Sequence, residues 1–74
     1  MSVTMDKVEA AVRQHGEWLM NQRGVRGFDA GLGSTGEPAL RVYSDDTPEE
    51  VRRSIRNRVK VPVEFIEGFQ VELR

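Results

Sequence analysis

The chain has 74 residues, of which 38% are apolar and 31% are charged, and it contains no cysteine. This length allows one small domain, and surface scaling indicates that folding buries about 60% of the surface of the unfolded chain. The absence of cysteine excludes a disulfide framework and thiolate metal sites. A net charge of −1 excludes recruitment of nucleic acid or anionic membrane by bulk charge, and no segment is apolar for long enough to span a membrane. We therefore expect a cytoplasmic protein made of one domain, residues 1–74.

The first predicted element is a helix from about Met5 to Arg23. Thr4 is a candidate N-cap, and Gly24 suits the left-handed residue that commonly ends a helix. Apolar or half-apolar side chains recur at helical spacing and define one face of this helix: Val8, Ala11, Val12, His15 and Leu19.

Two strands joined by a glycine-containing turn are predicted next, over residues 25–32 and 38–44. In the second strand, Leu40 and Val42 fall on one face and Arg41 and Tyr43 on the other. An antiparallel hairpin is the simplest arrangement of the two. In the first strand Gly27 and Gly31 share a face, which is typical of a bulge or of a close approach to the backbone.

A second helix is predicted to begin at Thr47-Pro48-Glu49-Glu50. Thr47 is a candidate N-cap, Pro48 suits the first helical position, and Glu50 completes a capping box. The buried face of this helix is narrow and consists of Val51, Ile55 and Val59.

Pro62 ends that helix, and the alternation of Val61, Val63 and Phe65 predicts a third strand. The alternating residues Phe69, Val71 and Leu73 predict either a fourth strand or a continuation of the third. The element order is therefore α-β-β-α-β, with or without a final β. Helices that bury their apolar faces on one side of a three- or four-stranded sheet form a two-layer α+β sandwich. The pattern leaves the order of the strands open.

No motif of the sequence reaches the specificity of an enzyme site. Gly31, Gly33 and Gly36 match the G-x-G-x-x-G pattern, but a strand follows them where a dinucleotide site needs a helix N-terminus. His15 is the only histidine and lies on the apolar face of the first helix, where a core role is favoured over a catalytic one. We therefore predict no catalytic residue, no metal ligand and no cofactor.

The second helix is basic, and the span 47–60 carries a charge of +3 from five basic and two acidic residues. Such a face can bind nucleic acid or an acidic partner, or it can simply be solvated. The candidate partner-binding residues of this region are Arg52, Arg53, Arg56 and Lys60.

The face of the sheet away from the helices is the second candidate surface. Its predicted residues are Arg26, Asp29, Arg41, Tyr43 and Glu64, of which Arg41 and Tyr43 are the candidate binding residues. The partner expected there is a protein. A second copy of the chain is one candidate, with residues 69–73 as an intermolecular strand in a homodimer.

The glycine and strand pattern between Gly24 and Gly68 resembles that of a known type of module. The residues that carry this resemblance are Gly24-Val-Arg-Gly27, Gly31, Gly33, Gly36-Glu-Pro-Ala-Leu-Arg-Val-Tyr43, Thr47-Pro-Glu-Glu-Val51 and Val61-Pro-Val-Glu64. They are similar to a short bacterial α/β module that occurs alone or ahead of trypsin-like serine peptidase domains. The resemblance implies a non-enzymatic accessory or interaction module, and it transfers no catalytic residue because the peptidase part is absent.

Overall fold

The structure is a computed structural model that describes residues 3–67. Its elements are α1 (Met5–Met20), β1 (Val25–Leu32), β2 (Pro38–Ser44), α2 (Glu49–Val59) and β3 (Val63–Glu67). Both helices pack on one face of a three-stranded sheet, which confirms the predicted α+β class and the order α-β-β-α-β. The predicted strand with Phe69, Val71 and Leu73 lies outside the described residues.

The sheet has the order β1-β2-β3, so β2 is its central strand. β1 and β2 form the predicted antiparallel hairpin, whereas β3 runs parallel to β2. A parallel neighbour requires a crossover, because the chain must return to the end of the sheet at which β2 began. α2 makes that return, and its apolar stripe is buried against the sheet on the way.

α1 ends earlier than the predicted Arg23, since side chains after Met20 bind its last carbonyl groups. Asn21 Nδ2 donates to the Glu17 carbonyl and Gln22 Nε2 donates to the Trp18 carbonyl, both at 3.0 Å. At the other end, Thr4 is the N-cap as predicted, with its hydroxyl oxygen 3.3 Å from the Lys7 amide nitrogen.

β1 contains a bulge at its start. Val25 pairs with Ser44 and Gly27 pairs with Tyr43, so one extra residue, Arg26, is inserted on the β1 side. The bulge confirms the prediction made from Gly27, and it brings Val25 onto the same face of the sheet as Phe28.

The predicted capping box of α2 is wrong. The N-cap is Pro48, with an extended backbone (φ −62°, ψ 151°), and no side chain of the described residues caps the helix. Thr47 turns instead toward Gly24, against which its hydroxyl is packed so closely that a Cβ on Gly24 would lie 2.5 Å away. The Pro48 carbonyl accepts from the Val51 and Arg52 amides and so begins the helical hydrogen bonding.

The core lies between the helices and the inner face of the sheet. Its centre combines residues from both ends of α1 and the middle of α2 with the middle of β2, all on the predicted apolar faces. The fully buried apolar residues are Val8, Leu19, Leu40, Val42 and Ile55. Within residues 3–67, neither helix combines the length and the apolar character needed to cross a membrane.

Candidate functional site

The outer face of the sheet, which the two helices leave uncovered, carries a row of charged side chains across all three strands. In the strand register, Asp29 of β1 lies opposite Arg41 of β2, and Arg41 lies opposite Glu64 of β3. All three point outward because their neighbours along each strand, such as Leu40 and Val42, point into the core. The predicted open face is therefore assembled from these residues, with Tyr43 one row away.

The central contact of this row is a two-pronged ion pair. Arg41 Nε donates to Asp29 Oδ1 at 2.8 Å, and Arg41 Nη2 donates to Asp29 Oδ2 at 2.9 Å. The Tyr43 hydroxyl donates to the same Oδ2 at 3.1 Å. These three residues, which we call the Asp29 cluster, fix a guanidinium and a phenol in one orientation on the outer face.

The protonation equilibria of the cluster reflect these contacts. Hydrogen bonding from Arg41 lowers the pKa of Asp29 below its ordinary value of 3.8, against an opposing effect of burial. Burial is the first cause that raises the pKa of Tyr43 above 10.0, and its hydrogen bond to Asp29 is the second. At neutral pH the cluster therefore holds a carboxylate, a guanidinium and a neutral phenol.

The glycine turn after β1 is tied to the same face through Glu64. Glu64 Oε2 accepts hydrogen bonds from the backbone amide of Ser34 at 2.7 Å and from its hydroxyl at 3.0 Å. The Glu64 carboxylate lies directly over Gly33, where any Cβ would meet it. The backbone amide of Ser34, within the G-x-G-x-x-G match, is thus occupied by a carboxylate of the protein itself.

Two of the candidate arginines of α2 are engaged within the protein. Arg52 donates to Glu67 at the end of β3, and Arg56 Nη1 donates to Glu49 Oε2 at 3.3 Å. Both guanidinium groups also lie over the ring of Phe65, at 5.3 and 5.1 Å from its centre. Their positive charge is therefore partly balanced by carboxylates and an aromatic face.

The other basic residues of this region are arranged differently. Arg58 stacks on Trp18 of α1 at 4.5 Å from the ring centre. Arg53 and Lys60 are exposed, and no ion pair to either is found within residues 3–67. An open groove of about 430 Å³ runs beside Arg53, lined by Trp18, Glu50, Arg53, Ser54, Asn57 and Arg58.

The structure separates the six candidate binding residues into two surfaces. Arg41 and Tyr43 are together on the outer face, whereas Arg52, Arg53 and Arg56 belong to α2 on the other side of the sheet, and Lys60 is the residue that follows α2. The predicted outer-face residue Arg26 stands apart from the Asp29 cluster, because the bulge carries it toward Asp45, 3.5 Å away.

Some contacts of these surfaces were not predicted from the sequence. Glu67 joins three elements, since it accepts from Arg52 of α2 and, at 3.0 Å, from the buried Ser44 of β2. The parallel pairing of β2 with β3 brings Ser44 and Glu67 opposite one another. Only that pairing, which the hydrophobic pattern leaves open, would have identified the contact.

Within residues 3–67 no group of three or more metal-binding side chains comes together, and His15 is half-buried on α1. Comparison with protein-family models, curated proteins and solved structures gives no match for this chain.

Proposed function

We propose that this protein is a non-enzymatic interaction module that binds a protein partner through the outer face of its sheet. The single observation that carries the proposal is the Asp29 cluster, in which Arg41 and Tyr43 are held ready on a face that the two helices leave uncovered. The resemblance of the chain to a bacterial accessory module agrees with such a role.

The chemistry of the cluster suits protein recognition. Arg and Tyr are enriched among the residues that contribute most to protein interfaces, because each combines a large flat contact area with directional hydrogen bonds. Free arginine side chains lose rotamer entropy on binding, at a cost of about 0.5 to 1.5 kcal/mol. Arg41 has already lost much of that freedom, since both prongs of its guanidinium are bound to Asp29.

Partial exposure leaves the cluster available to a partner. The side chains of Arg41 and Asp29 are 34% and 43% exposed. Ile66 lies opposite Tyr43 on the same face and adds an apolar, half-buried neighbour. A polar cluster beside a small apolar area resembles the mixed character of protein–protein interfaces.

A site-specific photocrosslinking experiment tests the proposal in cells that produce the protein. A photoreactive phenylalanine analogue replaces Ile66 on the outer face, and in the matched control it replaces the exposed Ser54 of α2. We expect a discrete protein adduct from position 66 and none from position 54. The adduct should be lost in Arg41→Lys, which keeps the charge but cannot reproduce the two-pronged contact with Asp29.

An adduct that forms equally from both positions, or that survives Arg41→Lys unchanged, would count against the outer face. The Arg41→Lys protein must first show the circular dichroism spectrum of the parent, so that unfolding is separated from loss of binding.

A second candidate function, nucleic-acid or acidic-partner binding through α2, draws support from Arg53, which is exposed and lines the groove with Trp18, and from the exposed Lys60. It is tested by titration with single- and double-stranded oligonucleotides at several salt concentrations. Arg53→Glu combined with Lys60→Glu leaves the Arg52 and Arg56 ion pairs intact. If α2 binds phosphates, this double variant weakens binding and reduces its salt dependence.

A further inference from the structure

β1 is an edge strand, and the side of it that faces away from β2 has no neighbouring strand in the described residues. In the antiparallel hairpin, hydrogen-bonded pairs alternate with pairs that are not hydrogen-bonded. The Gly33 amide donates to the Glu37 carbonyl at 2.8 Å, which makes this pair the bonded type. Counting inward along the register, Phe28, Ala30 and Leu32 belong to the other type, so their N–H and C=O groups point away from β2.

This edge lacks most of the features with which proteins protect free strands. Residues 28–32 contain no proline and no lysine, and their one charged side chain, Asp29, is held on the outer face by Arg41. Leu32 is 58% exposed. A groove of about 440 Å³ lies beside the edge, lined by Glu9, Val12, Arg13, Phe28, Asp29 and Ala30.

We propose that the β1 edge pairs with the β1 edge of a second copy, antiparallel and centred on Ala30, to form one continuous six-stranded sheet in a symmetric dimer. In this register Ala30 faces the partner's Ala30, and Phe28 faces the partner's Leu32. The backbone N–H and C=O groups of Phe28, Ala30 and Leu32 in each copy then find hydrogen-bonding partners on the other copy. The exposed Leu32 gains an apolar neighbour.

Charge selects this register over the adjacent ones. A two-fold axis at Asp29 would set two carboxylates opposite each other, and an axis at Gly31 would set two Arg41 guanidinium groups face to face. The guanidinium of Arg41 lies over Gly31, within 2.7 Å of where a Cβ would be. With the axis at Ala30, Asp29 lies opposite the partner's Gly31 and therefore beside the partner's Arg41, an attractive pairing.

The charges of α1 beside this edge are also complementary to those of a second copy. Glu9 and Arg13 are exposed on α1 along the groove, one turn apart. A two-fold axis reverses the direction of the neighbouring helix, so that Glu9 of one copy can meet the partner's Arg13 and the reverse. A second copy is thus matched in backbone, apolar and charged groups.

Engineered cysteines test the register directly, because the natural chain contains none. Under mild oxidation we expect Ala30→Cys to form a disulfide-linked dimer rapidly, since the two residues 30 face each other. Leu32→Cys is the matched control, and its residue is more exposed than Ala30 but lies away from the two-fold axis. Random collisions between monomers would form the disulfide at position 32 at least as fast as at position 30. An equal or faster rate at position 32 would therefore overturn the proposed register.

Sedimentation equilibrium tests the dimer itself. We expect the parent protein to have twice the 8.4 kDa mass of one chain, and Ala30→Pro to have the mass of one chain. Proline removes an N–H that points away from β2, so the β1–β2 hairpin keeps its hydrogen bonds. Should Ala30→Pro fail to fold, Leu32→Lys provides a second variant, with a charge placed opposite the partner's Phe28 and an at least tenfold weaker association expected.

A parent protein that remains a monomer at high micromolar concentration would overturn the proposal. Asp29 and Arg41 border both the edge and the outer face, but Ala30→Pro leaves their contacts in place, so this variant separates the two proposals. Ala30→Pro should abolish the dimer and leave the crosslink from position 66 in place, whereas Arg41→Lys should abolish that crosslink.

Discussion

Two glycines of this chain share a left-handed backbone but have different surroundings. Gly24 (φ +84°) is enclosed by Thr47 and the backbone of Asp45, whereas around Gly36 (φ +85°) no described residue other than its chain neighbours has an atom within 4 Å of where its Cβ would be. The same substitution at both positions therefore separates the cost of the backbone conformation from the cost of crowding.

We expect Gly36→Ala to lower the free energy of unfolding by about 1 to 2 kcal/mol, the usual cost of a left-handed alanine. Gly24→Ala should cost about 1 to 3 kcal/mol more, because the new methyl group meets a carbonyl oxygen that cannot move without distorting the chain. Urea denaturation of both variants measures the difference. Equal losses would show that the loop around Thr47 yields to the added methyl group.

The ion pair of Asp29 leads to a prediction about acid stability. Because the folded-state pKa of Asp29 lies below its ordinary value of 3.8, the carboxylate stabilises the fold fully above that pH. Its contribution is lost as the pH falls through the lower, folded-state pKa. The difference in free energy of unfolding between the parent and Asp29→Asn should therefore be constant near neutrality and shrink below pH 3.8. A difference that stays constant throughout the acid range would contradict this assignment.

At the scale of elements, the hydrophobic pattern was sufficient to place both helices and three strands. β2 occupies the predicted 38–44, and the stripe Val51, Ile55 and Val59 faces the core. The cap of α2 was not predictable in the same way. A threonine before Pro-Glu-Glu fits a capping box locally, but its side chain is drawn to Gly24, which is 23 residues earlier in the chain and in contact only after folding.

Thr4 and Thr47 each precede a helix, but only Thr4 caps its helix, and substitution of both measures the energetic difference. Thr47→Val replaces a buried hydroxyl that has no hydrogen-bond partner within residues 3–67, so we expect an unchanged or higher free energy of unfolding. Thr4→Val removes a true N-cap and should cost about 1 kcal/mol. Thermal or urea unfolding checks both variants. If Thr47→Val lowered the free energy of unfolding as much as Thr4→Val, the result would show that Thr47 does cap α2.

At the scale of the whole molecule, the strand order was the part that the sequence left open. Alternation assigns each residue to a face of the sheet, yet it is silent about which strand is the neighbour of β3. Parallel pairing with β2 follows from the path of α2 across the sheet, and it brings together Ser44, Glu67 and Arg52. For the candidate site, alternation predicted the members of the Asp29 cluster, but their contacts required the register of Asp29 with Arg41.

Substitution of one side chain of α2 tests whether the molecule unfolds in a single cooperative transition. Ile55 is fully buried, so Ile55→Ala should cost about 2 to 5 kcal/mol, a large part of the stability of a domain of this size. The half-buried Val51 serves as the control, and Val51→Ala should cost clearly less. We expect far-ultraviolet circular dichroism and the fluorescence of Trp18 to report a single shared transition. Separate transitions would show that α2 detaches while α1 and the sheet persist.

The bulge at Arg26 has a consequence for changes in chain length. Without Arg26, Val25 would precede Gly27 directly, and ordinary alternation would place Val25 opposite Ser44 and Gly27 opposite Tyr43, where they already lie. Deletion of this residue therefore straightens β1 without shifting any later residue to the wrong face, and it removes only a surface ion pair of little energetic value. A deletion anywhere between Gly27 and Leu32 would instead invert the remaining strand. Chains descended from a common ancestor of this fold can thus differ in length by one residue at position 26 and still share the same core.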